Sequence, residues 1–256
     1  MKTSKNLFKI YNQVKIDLLK NQYYKLSDLR SVVNILKDKE KFLKRNFLKN
    51  QNIKLSSNVF SFDLPVGLTC QGLCKNCYAI KNERIMPTVR VSRLLNYVTI
   101  LYALIDNKFN KFFINKIQSE LNNIKLIYNK PVIRLHTSGD IFNVDYLNLW
   151  LKIINKNKRI KFYTYTKMAW LLPNVDNICK KYKNFNIVKS IISIDNKNYL
   201  NFGDKNYLND LNQIAKENNI GIYLCKHHEH KHDSVKYCMG KCNKCLNCTN
   251  VVFLKH

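Results

Sequence analysis

From Thr88 onward the chain alternates between two hydrophobic periods, and this limits the folds open to it more than any other feature. Amphipathic stretches at 93–104 and 109–124 precede the apolar run Val132-Ile133-Arg134-Leu135-His136. Helical patterns at 144–154, 172–182 and 208–218 then alternate with extended ones at 160–166, 187–194 and 221–225. Strands separated by helices of roughly ten to fifteen residues predict parallel βα units. Four strands of this kind follow Thr88, and the segment before it offers one more, too few for a closed eight-stranded barrel. The expected class is α/β, a partial (β/α) barrel or an open parallel sheet. Either gathers its binding loops at the carboxyl ends of the strands, here after His136, Thr166, Ile194 and Cys225.

The first 51 residues form a basic helical extension, with Ser27 and Asp28 placed to cap a helix that carries Leu29, Val32, Val33 and Leu36. The sequence therefore divides into this extension (1–51), a βα core (52–224) and a cysteine-rich segment (225–256). With 256 residues, 46% of them hydrophobic, the chain can bury a sizeable core. No stretch reads as a leader or a membrane span, so the expected location is cytoplasmic. The net charge of +27 would draw polyanions, but lysines far outnumber arginines and are spread along the whole chain, as solvated faces would be. Nucleic acid is thus an open substrate class rather than a deduced one.

Eight of the nine cysteines fall in or near two clusters; only Cys179 stands apart. In a reducing compartment such clusters hold metal more readily than they form disulfides. Cys70, Cys74 and Cys77 form C-x3-C-x2-C around Gly72. Three thiolates hold three irons of a 4Fe-4S cubane and leave the fourth open, whereas a structural zinc site needs a fourth ligand, for which His136 and Cys179 are available. The second group, Cys238, Cys242, Cys245 and Cys248 with the remote Cys225, binds either a second 4Fe-4S cluster or zinc. Cys225, Cys242, Cys245 and Cys248 make one set with Cys238 spare; the run from Cys238 to Cys248, or one using His227, His228, His230 or His232, makes a zinc knuckle.

Tyr78 directly follows the last cysteine of the first triplet, and the C-x3-C-x2-C spacing with an adjacent aromatic resembles that of radical-SAM proteins, where the aromatic usually comes before that cysteine. A longer set of motifs resembles the phage gene product 88 family. These are Phe60-Ser61-Phe62-Asp63-Leu64-Pro65-Val66-Gly67-Leu68-Thr69-Cys70, Cys77-Tyr78-Ala79, Arg134-Leu135-His136-Thr137-Ser138-Gly139-Asp140-Ile141-Phe142 and Phe162-Tyr163-Thr164-Tyr165-Thr166-Lys167. The radical-SAM resemblance implies that the fold is of that type and that Ser138, Gly139 and Asp140 receive the amino-acid end of S-adenosylmethionine (SAM), with aspartate in place of the usual glutamate. It also implies that Ser193 and Asp195 contact its ribose or carboxylate.

Read as residues, Asp140 or Asn143 equally serves as a helix cap, and Ser193 and Asp195 as strand-end turn residues. His136, Tyr165 and Lys167 are the candidate catalytic residues, His136 as a general acid, base or ligand, with Tyr163, Tyr165 and Lys167 sharing one strand face. A lone histidine such as His136 is more often a packed core residue. Arg93 and Asn96 match a recurrent feature of the resembling family without an assignable role.

The resemblance implies an enzyme that takes one electron from an external donor, cleaves SAM to methionine and a 5′-deoxyadenosyl radical, and abstracts hydrogen from an unknown substrate, with nucleic acid among the choices. The competing expectation is a non-catalytic zinc- or cluster-containing nucleic-acid-binding phage protein. For a phage-encoded chain, the cytoplasm is the host's.

Overall fold

The computed structural model describes residues 5–19, 24–50, 57–70, 77–168 and 170–190, and short strands at 193–195, 198–199, 223–225, 236–238 and 250–251. Three helices lead: α1 (Lys5–Leu19), α2 (Leu26–Lys37) and α3 (Lys39–Lys44). The core then runs β1 (Val59–Phe62), α4 (Tyr78–Ile85), α5 (Pro87–Ile105), α6 (Asn107–Ile127), β2 (Val132–Leu135), α7 (Val144–Lys156) and β3 (Lys161–Thr166). After these come α8 (Val175–Lys181), β4 (Phe185–Ser190), β5 (Ser193–Asp195), β6 (Asn198–Tyr199), β7 (Tyr223–Cys225), β8 (Lys236–Cys238) and β9 (Asn250–Val251).

The local signals that start the helices are visible in the sequence. Asp106 accepts the Phe109 N–H at 2.9 Å and Asn143 the Tyr146 N–H at 2.8 Å, so α6 and α7 begin on side-chain caps. Pro87 occupies the first turn of α5, where its missing N–H costs nothing. Asp28 does not precede α2 but sits in its first turn, where it accepts the Lys25 N–H at 3.0 Å.

The main sheet has the order β1-β2-β3-β4-β9 and is parallel throughout. From β1 to β4 each strand thus lies beside its predecessor, with helices in each of those three connections. Right-handed crossovers that all step the same way leave their helices on one face of the sheet. The burial pattern agrees: Phe60, Phe62, Ile133, Leu135, Phe162, Phe185 and Ile187 join the helices in one large hydrophobic cluster. The alternate positions Val59, Val132 and Tyr163 form a separate small cluster with Tyr165 on the other face. The expected open parallel sheet is therefore present. Two expectations about its strands change. The extended run at 187–194 stops at Ser190, and Ser193 to Asp195 pairs antiparallel with β6 instead. The strand expected at 221–225 is β7, which pairs with β8, and β9 takes the fifth place in the sheet. The helix expected at 208–218 lies outside the described residues.

The N-terminal helices share the core of the sheet rather than forming one of their own. Ile10 and Val14 of α1 and Leu29, Val32 and Leu36 of α2 belong to the same cluster as Phe62 and Trp150. An ion pair reinforces the join, with Arg90 Nε of α5 3.0 Å from Asp28 Oδ2 and both side chains buried. No helix among the described residues is long and apolar enough to cross a membrane.

Phe62 is the aromatic hub of this core. Its ring centroid lies 5.2 Å from Trp150, 6.1 Å from Phe113 and 6.4 Å from Phe47, linking β1 to α7, α6 and the segment before β1. Phe62→Ala should lower the free energy of unfolding by about 3–5 kcal/mol through lost contacts and an unfilled cavity. Phe8→Ala, at a side chain 66% exposed, should change it by less than about 0.5 kcal/mol. Urea denaturation of both variants checks the contrast.

Candidate functional site

The first cysteine loop leaves the carboxyl end of β1 and is held against the carboxyl end of β2. The Leu64 N–H donates to Ser138 O at 2.9 Å, and the Ser138 hydroxyl donates to Leu64 O at 2.9 Å. Gly139, with φ +83°, passes so close that a Cβ there would lie 2.6 Å from both Leu64 Cβ and Thr69 Oγ1. Only glycine tolerates both that dihedral and that approach. The turn is closed by Thr69 Oγ1 donating to Pro65 O at 2.8 Å, and the Gly67 N–H points at Cys70 Sγ at 3.4 Å.

Cys77 lies just before the first residue of α4, so the helix that closes the loop also fixes its last cysteine. One turn along α4, Glu83 is fully buried and its Oε1 reaches back to the loop. That oxygen accepts from Arg93 Nη1 at 2.8 Å, Val66 N at 3.2 Å and Ser138 Oγ at 3.3 Å. Arg93 and Asn96, one helical turn apart on α5, thereby acquire roles. Arg93 neutralises Glu83, and Asn96 Nδ2 donates to Asp63 O at 2.8 Å. Asp63 Oδ1 in turn accepts from both the N–H and the hydroxyl of Thr137 at 2.7 Å. Sequence reasoning missed Asp63 and Glu83. The available signal was scarcity: only 17 acidic residues face 44 basic ones, which makes any acid within an apolar motif informative.

The segment after β2 is used inward. Asp140 is buried; its Oδ1 accepts the Ile141 N–H at 2.7 Å and its Oδ2 the Lys167 N–H at 2.9 Å, tying the end of β2 to the end of β3. Burial raises its carboxyl to about 6, against the downward pull of those N–H donors. Asn143, not Asp140, caps α7. His136 leaves the strand with φ +67° and turns its ring into the core. Thr164 Oγ1 donates to Leu135 O at 2.8 Å, so it accepts from His136 Nδ1 at 3.3 Å, and His136 Nε2 accepts the Tyr146 hydroxyl at 2.7 Å. Burial, then the charge of Arg134, hold this imidazole neutral by lowering it to about 3. His136 is thus packed in the core with both ring nitrogens engaged. Cys179, on α8, accepts the Ile187 N–H at 3.3 Å.

On the opposite face of the sheet, Arg134 lies over the ring of Tyr165 at 5.0 Å and that of Tyr163 at 5.9 Å. Register places Ser61, Arg134, Tyr163 and Asn186 in one row across β1 to β4. Tyr163 and Tyr165 do share a face, and Lys167 follows at the strand end. Arg134 is the member that sequence reasoning did not single out.

Cys70 and Cys77 are half-buried and not in disulfides; Cys74 lies outside the described residues. Among the described residues, no three of His, Cys, Asp and Glu converge as a metal group. In the second cluster, Cys225 and Cys238 are direct register partners on β7 and β8. Cys242, Cys245, Cys248 and the histidines at 227–232 lie outside the described residues. Ser193 and Asp195 sit on β5, beyond the end of β4.

Fold and site together define an α/β protein with an open parallel sheet and a cysteine loop at the carboxyl end of its first strand. More narrowly, the chain belongs to the gene product 88 family of phage proteins, whose family model matches residues 34–249, from within α2 to the residue before β9. No curated protein and no solved structure matches it.

Asp140 and His136 pull stability in opposite directions with pH. Asp140 is raised from its usual 3.8 to about 6, so its contribution is full below about 4 and is lost as pH rises through about 6. His136 is lowered from 6.5 to about 3, so its contribution is full above 6.5 and is lost as pH falls through about 3. Asp140→Asn removes only the first term. Relative to wild type, the variant should gain stability as pH rises from about 4 to about 6, with a slope approaching about 1.4 kcal/mol per pH unit. Urea unfolding at matched pH values measures that difference; a difference that stays flat across the window contradicts the protonation assigned to Asp140.

Proposed function

We propose that this protein is an iron–sulfur enzyme of the radical-SAM type, with Cys70, Cys74 and Cys77 holding a 4Fe-4S cluster. The observation that carries this reading is placement. The three-cysteine loop follows the first strand of a sequentially ordered parallel sheet, and Ser138, Gly139 and Asp140 follow the neighbouring strand at the same edge. The donor set suits the group: three cysteines in one loop leave one iron free for an outside ligand.

With the cluster bound, the chemistry supplied is one-electron cleavage of SAM, the electron coming from an external donor. The chain's own residues do the rest. Glu83 and Arg93 hold the loop root, and Gly139 lets the ends of β1 and β2 close together. The side chains of Ser138 and Asp140 are engaged within the protein, so this segment meets the amino-acid end of SAM through its backbone. Tyr165 and Lys167, at the end of β3, are the groups proposed to face substrate, with Ser193 and Asp195 toward the ribose. His136, packed and neutral, positions β2 rather than moving protons. The second cysteine group holds an auxiliary cluster or zinc.

Anaerobically purified protein should be brown, contain iron and acid-labile sulfide, and release 5′-deoxyadenosine from SAM under dithionite. Cys74→Ala should bring that release to background. Colourless protein with stoichiometric zinc and no SAM cleavage would instead favour a zinc-containing nucleic-acid-binding protein.

A further inference from the structure

A second cluster of charged side chains lies outside the cysteine site, where the segment before β1 crosses α5. Lys49 pairs with Ser61 through both backbone groups, at 2.9 and 2.8 Å, which fixes its position at the edge of β1. Its Nζ donates to Ser92 Oγ at 2.6 Å. Arg45 approaches the same hydroxyl: Nη2 lies 3.3 Å from Ser92 Oγ, 3.1 Å from Ser92 O and 2.7 Å from Asn96 Oδ1. Two cations therefore converge on one neutral hydroxyl, and all three residues are half-buried.

Among the described residues, neither Arg45 nor Lys49 takes part in a salt bridge. The acids whose charge reaches them, Glu120 for Arg45 and Asp63 for Lys49, direct their oxygens elsewhere: Glu120 to the N–H groups of Phe47 and Leu48 and to Lys116, Asp63 to Thr137 and Ser61. Arg45 Nε is buried with no hydrogen-bond partner. Burial, followed by the charge of Arg45, lowers Lys49 below its ordinary range. Holding like charges together away from bulk water is costly unless an anion neutralises them.

We propose that Arg45, Lys49 and Ser92 form a binding site for a phosphate group. The guanidinium offers a fork of N–H donors, the ammonium a compact positive charge, and the Ser92 hydroxyl, which accepts from both cations, keeps its own proton to donate. Such a set matches several oxygens on one centre better than it matches a single carboxylate. Asn96, which holds Arg45, also holds Asp63 at the carboxyl end of β1, so a phosphate bound here is anchored beside the cysteine loop. The site contains no cysteine and stands whether or not the cysteine loop binds a cluster.

The test is a thermal-unfolding titration of the full chain with inorganic phosphate at constant ionic strength, repeated with a ten-residue oligothymidylate. Wild-type protein should gain Tm with phosphate beyond the chloride control, because a ligand that binds only the folded state stabilises it. Lys49→Gln, and independently Ser92→Ala, should lose that gain, while Lys158→Gln at an exposed position retains it. If inorganic phosphate has no effect but Lys49→Gln weakens the oligonucleotide about tenfold or more relative to Lys158→Gln, the phosphate belongs to a nucleic-acid backbone. If phosphate does not raise Tm and Lys49→Gln binds the oligonucleotide as Lys158→Gln does, the proposal is wrong.

Discussion

The buried ion pair between Glu83 and Arg93 is the interaction on which the cysteine loop depends. A carboxylate with no solvent exposure is tolerable only where a cation and further donors surround it, and Glu83 Oε1 collects them from three directions. Arg93 comes from α5, Val66 from the loop root and Ser138 from the end of β2, so one oxygen fixes the relative placement of three segments and of α4 itself. Removing either charge would strand the other in an apolar setting, which is far costlier than losing one hydrogen bond. Tyr24, just before α2, lies against the same group; burial and the charge of Glu83 push its phenol well above the ordinary range, so it stays a protonated neighbour.

This arrangement explains why the polar motif after β2 faces inward. Three strand-end segments must be held at one edge of the sheet, and the nearest polar side chains do that work: Ser138 for β1 to β2, Asp140 for β2 to β3, His136 for β2 to α7. What remains for a ligand is the backbone at that edge and the alternate face of the strands, where Arg134 lies over Tyr163 and Tyr165. Two residues apart, Arg134 and His136 would share a face if the strand continued; β2 ends at Leu135, and the φ of +67° at His136 turns its ring into the core instead.

The sheet and its helices were legible because hydrophobic period is a local property. The runs at 132–136 and 160–166 became β2 and β3 within a residue, and α7 matched its pattern apart from two added residues. The motif around Ser138 and Asp140 was also legible as a site, but its partners were not. The resemblance gives Gly139 to a ligand, whereas Leu64 and Thr69, some seventy residues earlier, are what its missing Cβ makes room for. The strand at 187–194 carried no mark at Ser190 to show that its pairing changes there, and the two-residue β9 is too short to have a period. Long-range pairing decides such features, and a linear pattern does not encode it.

Charge tells the same story in reverse. In a chain with 17 acidic and 44 basic residues, an acid is rarely needed for solubility, and the buried ones sit where segments meet. Asp28 joins α2 to α5, Glu83 joins the cysteine loop to α5, Glu120 holds the backbone at Phe47 and Leu48 against α6, and Asp140 joins the ends of β2 and β3. Arg45 and Lys49 occupy a similar junction, between the segment before β1 and α5, with a serine and an asparagine where the other junctions have a carboxylate. A fixed carboxylate there would close the junction permanently. Neutral partners leave its charge open to a mobile anion, which separates a contact that only holds the fold from one that can also bind.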